Sequence, residues 1–308
     1  MLVRVLGAAA GGGFPQWNCN CAGCKRARAG DPHVKPRTQA SLVVSGDGAR
    51  WVLLNASPDL TAQIAASPCL QPASNGPARG SPIKAVVISG GDVDCIAGLL
   101  SLREGQKFTL YADDFVRRIL DENRIFGVLN RDVVRFHALP VEQDVALMDA
   151  DGVALGLDIT AFYVPGKIPL YEEHSDDIAQ LRADNAVVGL SVSDGRRKIF
   201  YVPGCGAVTD ALRTKMGPED VLFFDGTLWR DDEMIRAGTG QKTGTRMGHV
   251  SVSGPQGTLH AFAHTPTAHK ILIHINNTNP ILCDDSPEAE ITRKAGWKIA
   301  QDGMEVTL

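Results

Sequence analysis

No block of lysine and arginine occurs in this chain of 308 residues. A short candidate stretch is Lys25-Arg26-Ala27-Arg28, and acidic residues outnumber basic ones, 35 to 31, for a net charge of −4. Phosphate neutralisation needs a basic patch, so a nucleic-acid partner is not expected, and the short stretch reads as a solvated helix face. Long apolar runs are also missing. Nothing approaches a membrane span, and Met1 to Leu6 is too short, and too soon broken by Gly7, for a secretory signal. A soluble, cytoplasmic protein that meets no membrane is the expectation. Nucleotide fingerprints are absent too. Gly7-Ala8-Ala9-Ala10-Gly11-Gly12-Gly13 lacks the G-x-G-x-x-G spacing and leads into proline and cysteine rather than a helix. Gly238 to Gly248 holds Lys242 but no P-loop pattern. Both read as loops over a pocket. No Ser-His-Asp or Cys-His pairing stands out, although such partners need not be neighbours in sequence.

What is present is ordinary globular composition, 44% hydrophobic and 21% charged. Short apolar runs that stop at glycine or proline predict strands at Leu2–Leu6, Ser41–Ser45, Trp51–Asn55, Ile83–Ile88, Phe108–Tyr111, Leu157–Val164, Ala186–Ser193, Lys198–Val202, Val221–Phe224 and Ile271–Ile275. Gly46-Asp47-Gly48 predicts a hairpin turn between the second and third. Helices are predicted at Asp59–Ala65, Ile96–Glu104, Asp114–Asp121, Val208–Met216, Gln256–Ala263 and Pro287–Ala295, with Pro58 suited to the start of the first. Pro68, Pro72, Pro77 and Pro82 mark a surface loop. Strands come in two sets with helices between and after them, which fits two packed sheets with helices outside. No linker divides the chain, so residues 1–308 are read as one domain of two similar halves.

Seven cysteines are an odd number, and Cys19, Cys21 and Cys24 crowd into six residues. Without a secretion signal, that spacing points to a metal rather than to disulfides. Thiolates suit Zn²⁺, which takes four ligands. A structural zinc loop at about 17–30 is therefore expected, with Asp31, His33, His269 and Cys283 as candidates for the fourth ligand. A second group, Asp92, Asp94 and Cys95, follows a buried strand and the Ser89-Gly90-Gly91 turn; acids at a strand end can hold a divalent cation. Taken alone it reads more simply as a solvated turn with Asp94 capping the next helix. His249, after Gly248, and His274, closing an apolar strand, change that balance. A lone histidine is more often a satisfied core residue, but two after turns, beside Asp92, Asp94 and Asp225, suggest a site. His137, His174, His260 and His264 are left as structural or solvent-facing, and Cys205 as buried packing.

The strings GAAAGGGFPQWNCNC, VKPRTQASL, LLNASPDL, GDVDCIAGLLSLREGQ, VPGKIPLY, YVPGC, FDGTLW, KTGTRMGH and HINNTNP, in this order, run through almost the whole chain. Together they resemble the pyrroloquinoline quinone (PQQ) biosynthesis protein B family. The resemblance implies a metallo-β-lactamase fold, an α/β four-layer αββα sandwich of two facing mixed β-sheets. The superfamily's first metal motif, T-H-x-H-x-D-H-x-x-G, aligns with Ser89 to Gly98; Gly90 and Asp92 stand at its first two histidine positions, and Cys95 stands where the family has histidine. The resemblance further implies Fe(II)- and O₂-dependent hydroxylation of the tyrosine ring in a Glu–Tyr-derived precursor. It assigns Asp92, Asp94, Asp225, His249 and His274 to catalysis, with Asp92, Asp94, Cys95, His249 and His274 around the ion. A carboxylate-rich substrate calls for cationic and amide partners, for which Arg103, Lys167, Lys242 and Asn277 are the candidates. Other proteins of PQQ biosynthesis are the expected partners, and a homodimer is left open. The alternatives are a non-catalytic carrier of PQQ or its precursor toward the periplasm, a metal-dependent hydrolase, and a paralogue in a neighbouring peptide-derived pathway.

Overall fold

Ile83–Val87 (β4) shows how the chain organises itself. Ala85 and Val87 enter one apolar core, while Ile83 and Val86 enter another. A strand with two buried faces reads as a mostly apolar run, interrupted here only by the half-buried Lys84. Val221–Asp225 (β11) does the same: Val221 and Phe223 join the first core, Leu222 and Phe224 a third. The shared core therefore lies between two sheets, and each outer face carries a core of its own. A computed structural model describes residues 1–172 and 187–308. His174 and the expected strand start at Ala186 lie outside the described residues.

The first sheet has the order β14-β1-β2-β3-β4-β5-β6, from Glu305–Thr307, Leu2–Gly7, Ser41–Ser45, Trp51–Leu54, β4, Phe108–Ala112 and Val134–Ala138. The second has the order β13-β12-β11-β10-β9-β8-β7, from Trp297–Ile299, His269–Ile273, β11, Lys198–Val202, Val188–Ser193, Ala154–Tyr163 and Asp144–Met148. Both are mixed. The β2–β3 hairpin is antiparallel, and β3 to β6 run parallel. In the second sheet β10 to β13 run parallel, and β7 to β10 antiparallel. Outside the first sheet lie Leu60–Ala65 (α2), Val93–Ile96 (α3) and Asp114–Glu122 (α4). Ala22–Arg28 (α1), Asp210–Thr214 (α5), Thr258–Ala261 (α7) and Pro287–Lys294 (α8) cover the second. Glu233–Arg236 (α6) sits beside the cleft described below. The helix expected at Ile96–Glu104 is split: α3 starts earlier, and a 3₁₀ segment continues over Ala97–Leu102. Among the described residues no helix is long and apolar enough to cross a membrane.

The parallel strands fix the place of the site. Parallel neighbours deliver their C-terminal ends to one edge, where the following loops converge. Ser89 to Asp92 follow β4, Pro203 and Gly204 follow β10, β11 ends at Asp225, and His274 follows β12.

Candidate active site

A cavity of about 440 Å³ opens at that edge, lined by Asp92, Asp94, Cys95, Lys167, Lys242, His249, His274 and Asn276 among others. Asp225 is fully buried at the end of β11. One carboxylate oxygen accepts from the Thr227 amide (2.9 Å), the other from the Cys205 amide (2.8 Å) and from His249 Nδ1 (2.7 Å). With its Nδ1 proton directed at a carboxylate, His249 keeps the Nε2 lone pair for a ligand. His274 stands against His249, the rings stacked at 5.2 Å. Its Nδ1 lies 2.8 Å from Thr227 Oγ1, which donates to the His274 carbonyl (3.0 Å), and its Nε2 lies 2.9 Å from Asp94 Oδ2. Both ring nitrogens thus face acceptors, a setting that favours imidazolium. Burial opposes that charge, but the Asp94 hydrogen bond and the charges of Asp94, Asp225 and Asp92 outweigh it, and the His274 pKa is raised. The same pairing, against burial, holds Asp94 below the usual carboxylate range. Asp92 goes the other way: burial and the Asp94 charge push it up to about 6 despite Lys167 and the two imidazoles.

One ligand atom each from Asp225, His249 and His274 lies within 4.8 Å of the others. Asp225 is turned to the two amides and to His249 Nδ1, so the donors the cavity itself offers are His249 through Nε2, His274 once it gives up its Nε2 proton, and the carboxylates of Asp92 and Asp94, a set that suits Zn²⁺ or non-haem Fe²⁺. Asp94 does not cap α3; it faces His274 instead. Cys95 forms part of the cavity wall, with Asn55 Nδ2 3.4 Å from its Sγ. Burial and the charges of Asp94 and Asp92 push its thiol pKa well above the usual range.

A second cluster forms where Cys19, Cys21 and Cys24 bring their sulfurs within 4.8 Å of one another, all free thiols. Burial pushes Cys21 up to about 12, helped by its two sulfur neighbours. Burial also opposes ionisation of Cys19, but hydrogen bonds from the Cys21 amide and from Cys21, Cys24 and Asn277 side chains bring its pKa down. Three crowded sulfurs without positive charge cannot all ionise, and a soft divalent cation removes that conflict. None of Asp31, His33, His269 or Cys283 joins the group. Asn277 is there instead, its Nδ2 2.9 Å from Cys19 Sγ and 3.5 Å from Cys24 Sγ, its carbonyl accepting from Cys21 Sγ at 3.4 Å.

Of the expected substrate contacts, Lys167 and Lys242 line the cavity. Asn277 points at the cysteines, and Arg103 is half exposed, donating to the Leu100 carbonyl and pairing with Glu104. Sequence reasoning passed over Thr227, which ties both histidines together, and Asn276, the amide that does face the cavity. The available signal for Thr227 was a hydroxyl two residues beyond a strand-ending aspartate.

The Beta-lactamase superfamily domain model matches residues 50–275. A curated relative from Gluconacetobacter diazotrophicus, coenzyme PQQ synthesis protein B, is 53% identical over 98% of both chains. Another of that name from Xanthomonas euvesicatoria pv. vesicatoria is 49% identical over the full length of both. The chain belongs to the coenzyme PQQ synthesis protein B family. The crystal structure described as Zn(2+)-bound PqqB from Methylobacterium extorquens superposes on all of this family member with a TM-score of 0.92 at 44% identity. A diphosphatase of the PhnP family shares the fold, with a TM-score of 0.69 at 20% identity. The metallo-β-lactamase fold expected from the motifs is thereby established.

Proposed function

We propose that this protein works in PQQ biosynthesis as an iron-dependent oxygenase that hydroxylates the tyrosine ring of a Glu–Tyr-derived precursor in the cytoplasm. The observation that carries this reading is the meeting of His249, His274, Asp92 and Asp94 in the wall of one cavity, with Asp225 buried behind His249. Ferrous iron bound there would supply O₂ activation, with one oxygen atom entering the ring and the other leaving as water on two electrons from an external reductant. The chain's own residues set the stage. The Cys205 and Thr227 amides fix Asp225, and Asp225 fixes His249. Asp94 and Thr227 fix the His274 ring from opposite sides. Lys167 and Lys242 supply positive charge for substrate carboxylates. The cysteine cluster would hold zinc, in keeping with the zinc named for the Methylobacterium relative.

Cys95 favours a second reading. It stands where the family has histidine and is hydrogen-bonded by Asn55, so the ion would meet a different donor type, and a cleft that binds PQQ or its precursor without turning it over would be a carrier. Protein purified without oxygen and offered Fe(II) separates the two, with Cys95→His beside it. The oxygenase reading expects one zinc and one iron per chain and O₂ uptake with a Glu–Tyr peptide. Zinc alone in the wild type, with PQQ bound and no O₂ uptake, would sink it in favour of the carrier. Iron confined to Cys95→His would mean that this chain has lost the activity.

A further inference from the structure

Glycines in this fold are mostly imposed by packing or by the backbone. A Cβ on Gly91 would meet Ile119 at 2.4 Å, one on Gly98 the Ser57 carbonyl at 2.2 Å, and Gly248 has φ +79. Three glycines of the cavity wall differ. Gly11, Gly90 and Gly204 all avoid positive φ. At Gly90 an added Cβ would meet nothing within 4 Å; at Gly11 the first contact is Asp94 at 3.6 Å, and at Gly204 it is His249 at 3.5 Å. Neither crowding nor conformation demands glycine at these positions. They sit on three separate loops, after β1, β4 and β10, and all face the same cavity. A side chain at Gly11 would project beside Asp94 and one at Gly204 beside His249, while one at Gly90 would enter open space.

We infer that Gly11, Gly90 and Gly204 keep open a flat, bare-backbone slot that selects a planar ring system carrying several carboxylates. Glycine lets a ligand approach the main chain closely. The occupant lies against peptide planes rather than side chains, which suits a rigid aromatic face. Lys167 and Lys242, in the same wall, match its carboxylates. A bulky sp³ group of equal charge would reach the lysines but not the slot. This inference rests on the reading of the cavity as the binding place of PQQ or its precursor, and it adds what decides between ligands of like charge.

Calorimetric binding of PQQ, a planar tricarboxylate, and of malonate, a small dicarboxylate that needs no slot, tests it on wild type, Gly90→Ala and Gly90→Leu. Unfolding midpoints should hold or rise, since a side chain at a permitted φ restricts the unfolded chain. Gly90→Leu should bind PQQ at least tenfold more weakly and malonate within twofold of wild type. If the leucine lowers the midpoint, Gly90→Ala carries the test, with PQQ weakened about threefold and malonate unchanged. Wild-type affinity for PQQ in these variants would overturn the slot, and so would equal losses for both probes. Wild-type protein that binds malonate but not PQQ would also overturn the slot alone, whereas wild type that binds neither would overturn the underlying reading with it.

Discussion

A buried carboxyl shows how much one side chain can matter here. Asp113 is 6% exposed at the start of α4, where Oδ1 accepts from the Val116 amide at 2.8 Å. Burial, with the nearby Asp114 charge, pushes it up to about 6 against that hydrogen bond. The folded pKa lies above the unfolded value near 4, so the folded state holds the proton more tightly. Stability from this group is full below about pH 4 and is lost as pH rises through 6. Asparagine keeps the cap without the charge. Asp113→Asn should therefore be more stable by about 2–3 kcal/mol at pH 7.5 and equal to wild type near pH 4. Urea unfolding at both pH values reads this directly, and equal midpoints at pH 7.5 would refute it. The site was partly legible at the same scale. Asp225 and His274 end apolar runs, a pattern visible in sequence; His274 lines the cleft and Asp225 is buried behind His249. Orientation within a loop was not legible. Asn276 and Asn277 are adjacent amides, yet one faces the cavity and the other the cysteines. A matched string said nothing of where Arg103 would point.

At the level of elements, the loop after β12 couples the two clusters. His274, in left-handed conformation at φ 57, faces the cleft, and Asn277 reaches the sulfurs three residues later. Between them the Ile275 amide donates to the Ala8 carbonyl, and the Asn276 amide to Thr227. Partners that hydrogen-bond metal-ligating sulfurs typically contribute 10–100-fold in affinity. Asn277→Ala should thus weaken zinc at Cys19, Cys21 and Cys24 by about that factor, read by competition with a chromogenic chelator. Retention of wild-type affinity would show that the amide is incidental. Central strands were the easiest elements to foresee, because burial on both faces writes itself as continuous apolar runs. The edge strands β6, β7, β13 and β14 were all missed. Their burial is patchy, as in Asp144–Met148, where Leu147 alone is buried, or they span only three residues, as in Glu305–Thr307. Too few side chains are sequestered at an edge to impose a period.

Across the whole molecule, chain order and sheet membership nearly coincide: β1 to β6 build one sheet and β7 to β13 the other. Only β14 crosses back, pairing with β1 so that both ends of the chain meet in the first sheet. That return carries a carboxylate anchor. Asp302 accepts from the Ala8 amide (3.1 Å), the Thr38 amide (2.7 Å) and Thr38 Oγ1 (2.7 Å), and so anchors the loop that brings Gly11 to the cavity. The sequence held no sign of this, since an aspartate before Gly303 reads as an ordinary turn. Asp302→Ala would take their shared acceptor from two amides and a hydroxyl. The expected loss is about 2 kcal/mol, because hydrogen bonds to a charged group exceed neutral ones while water reaches the Thr38 donors. Asp302→Asn, which keeps acceptor oxygen but adds donors facing donors, should recover only part of it. The same loop places Gly11 beside Asp94, so PQQ affinity should fall with Asp302→Ala even under conditions where the protein remains folded. Denaturant unfolding and calorimetry on the one variant separate the two effects. A loss below about 1 kcal/mol with binding unchanged would mean that the chain's return to β1 is a consequence of the fold and not one of its supports.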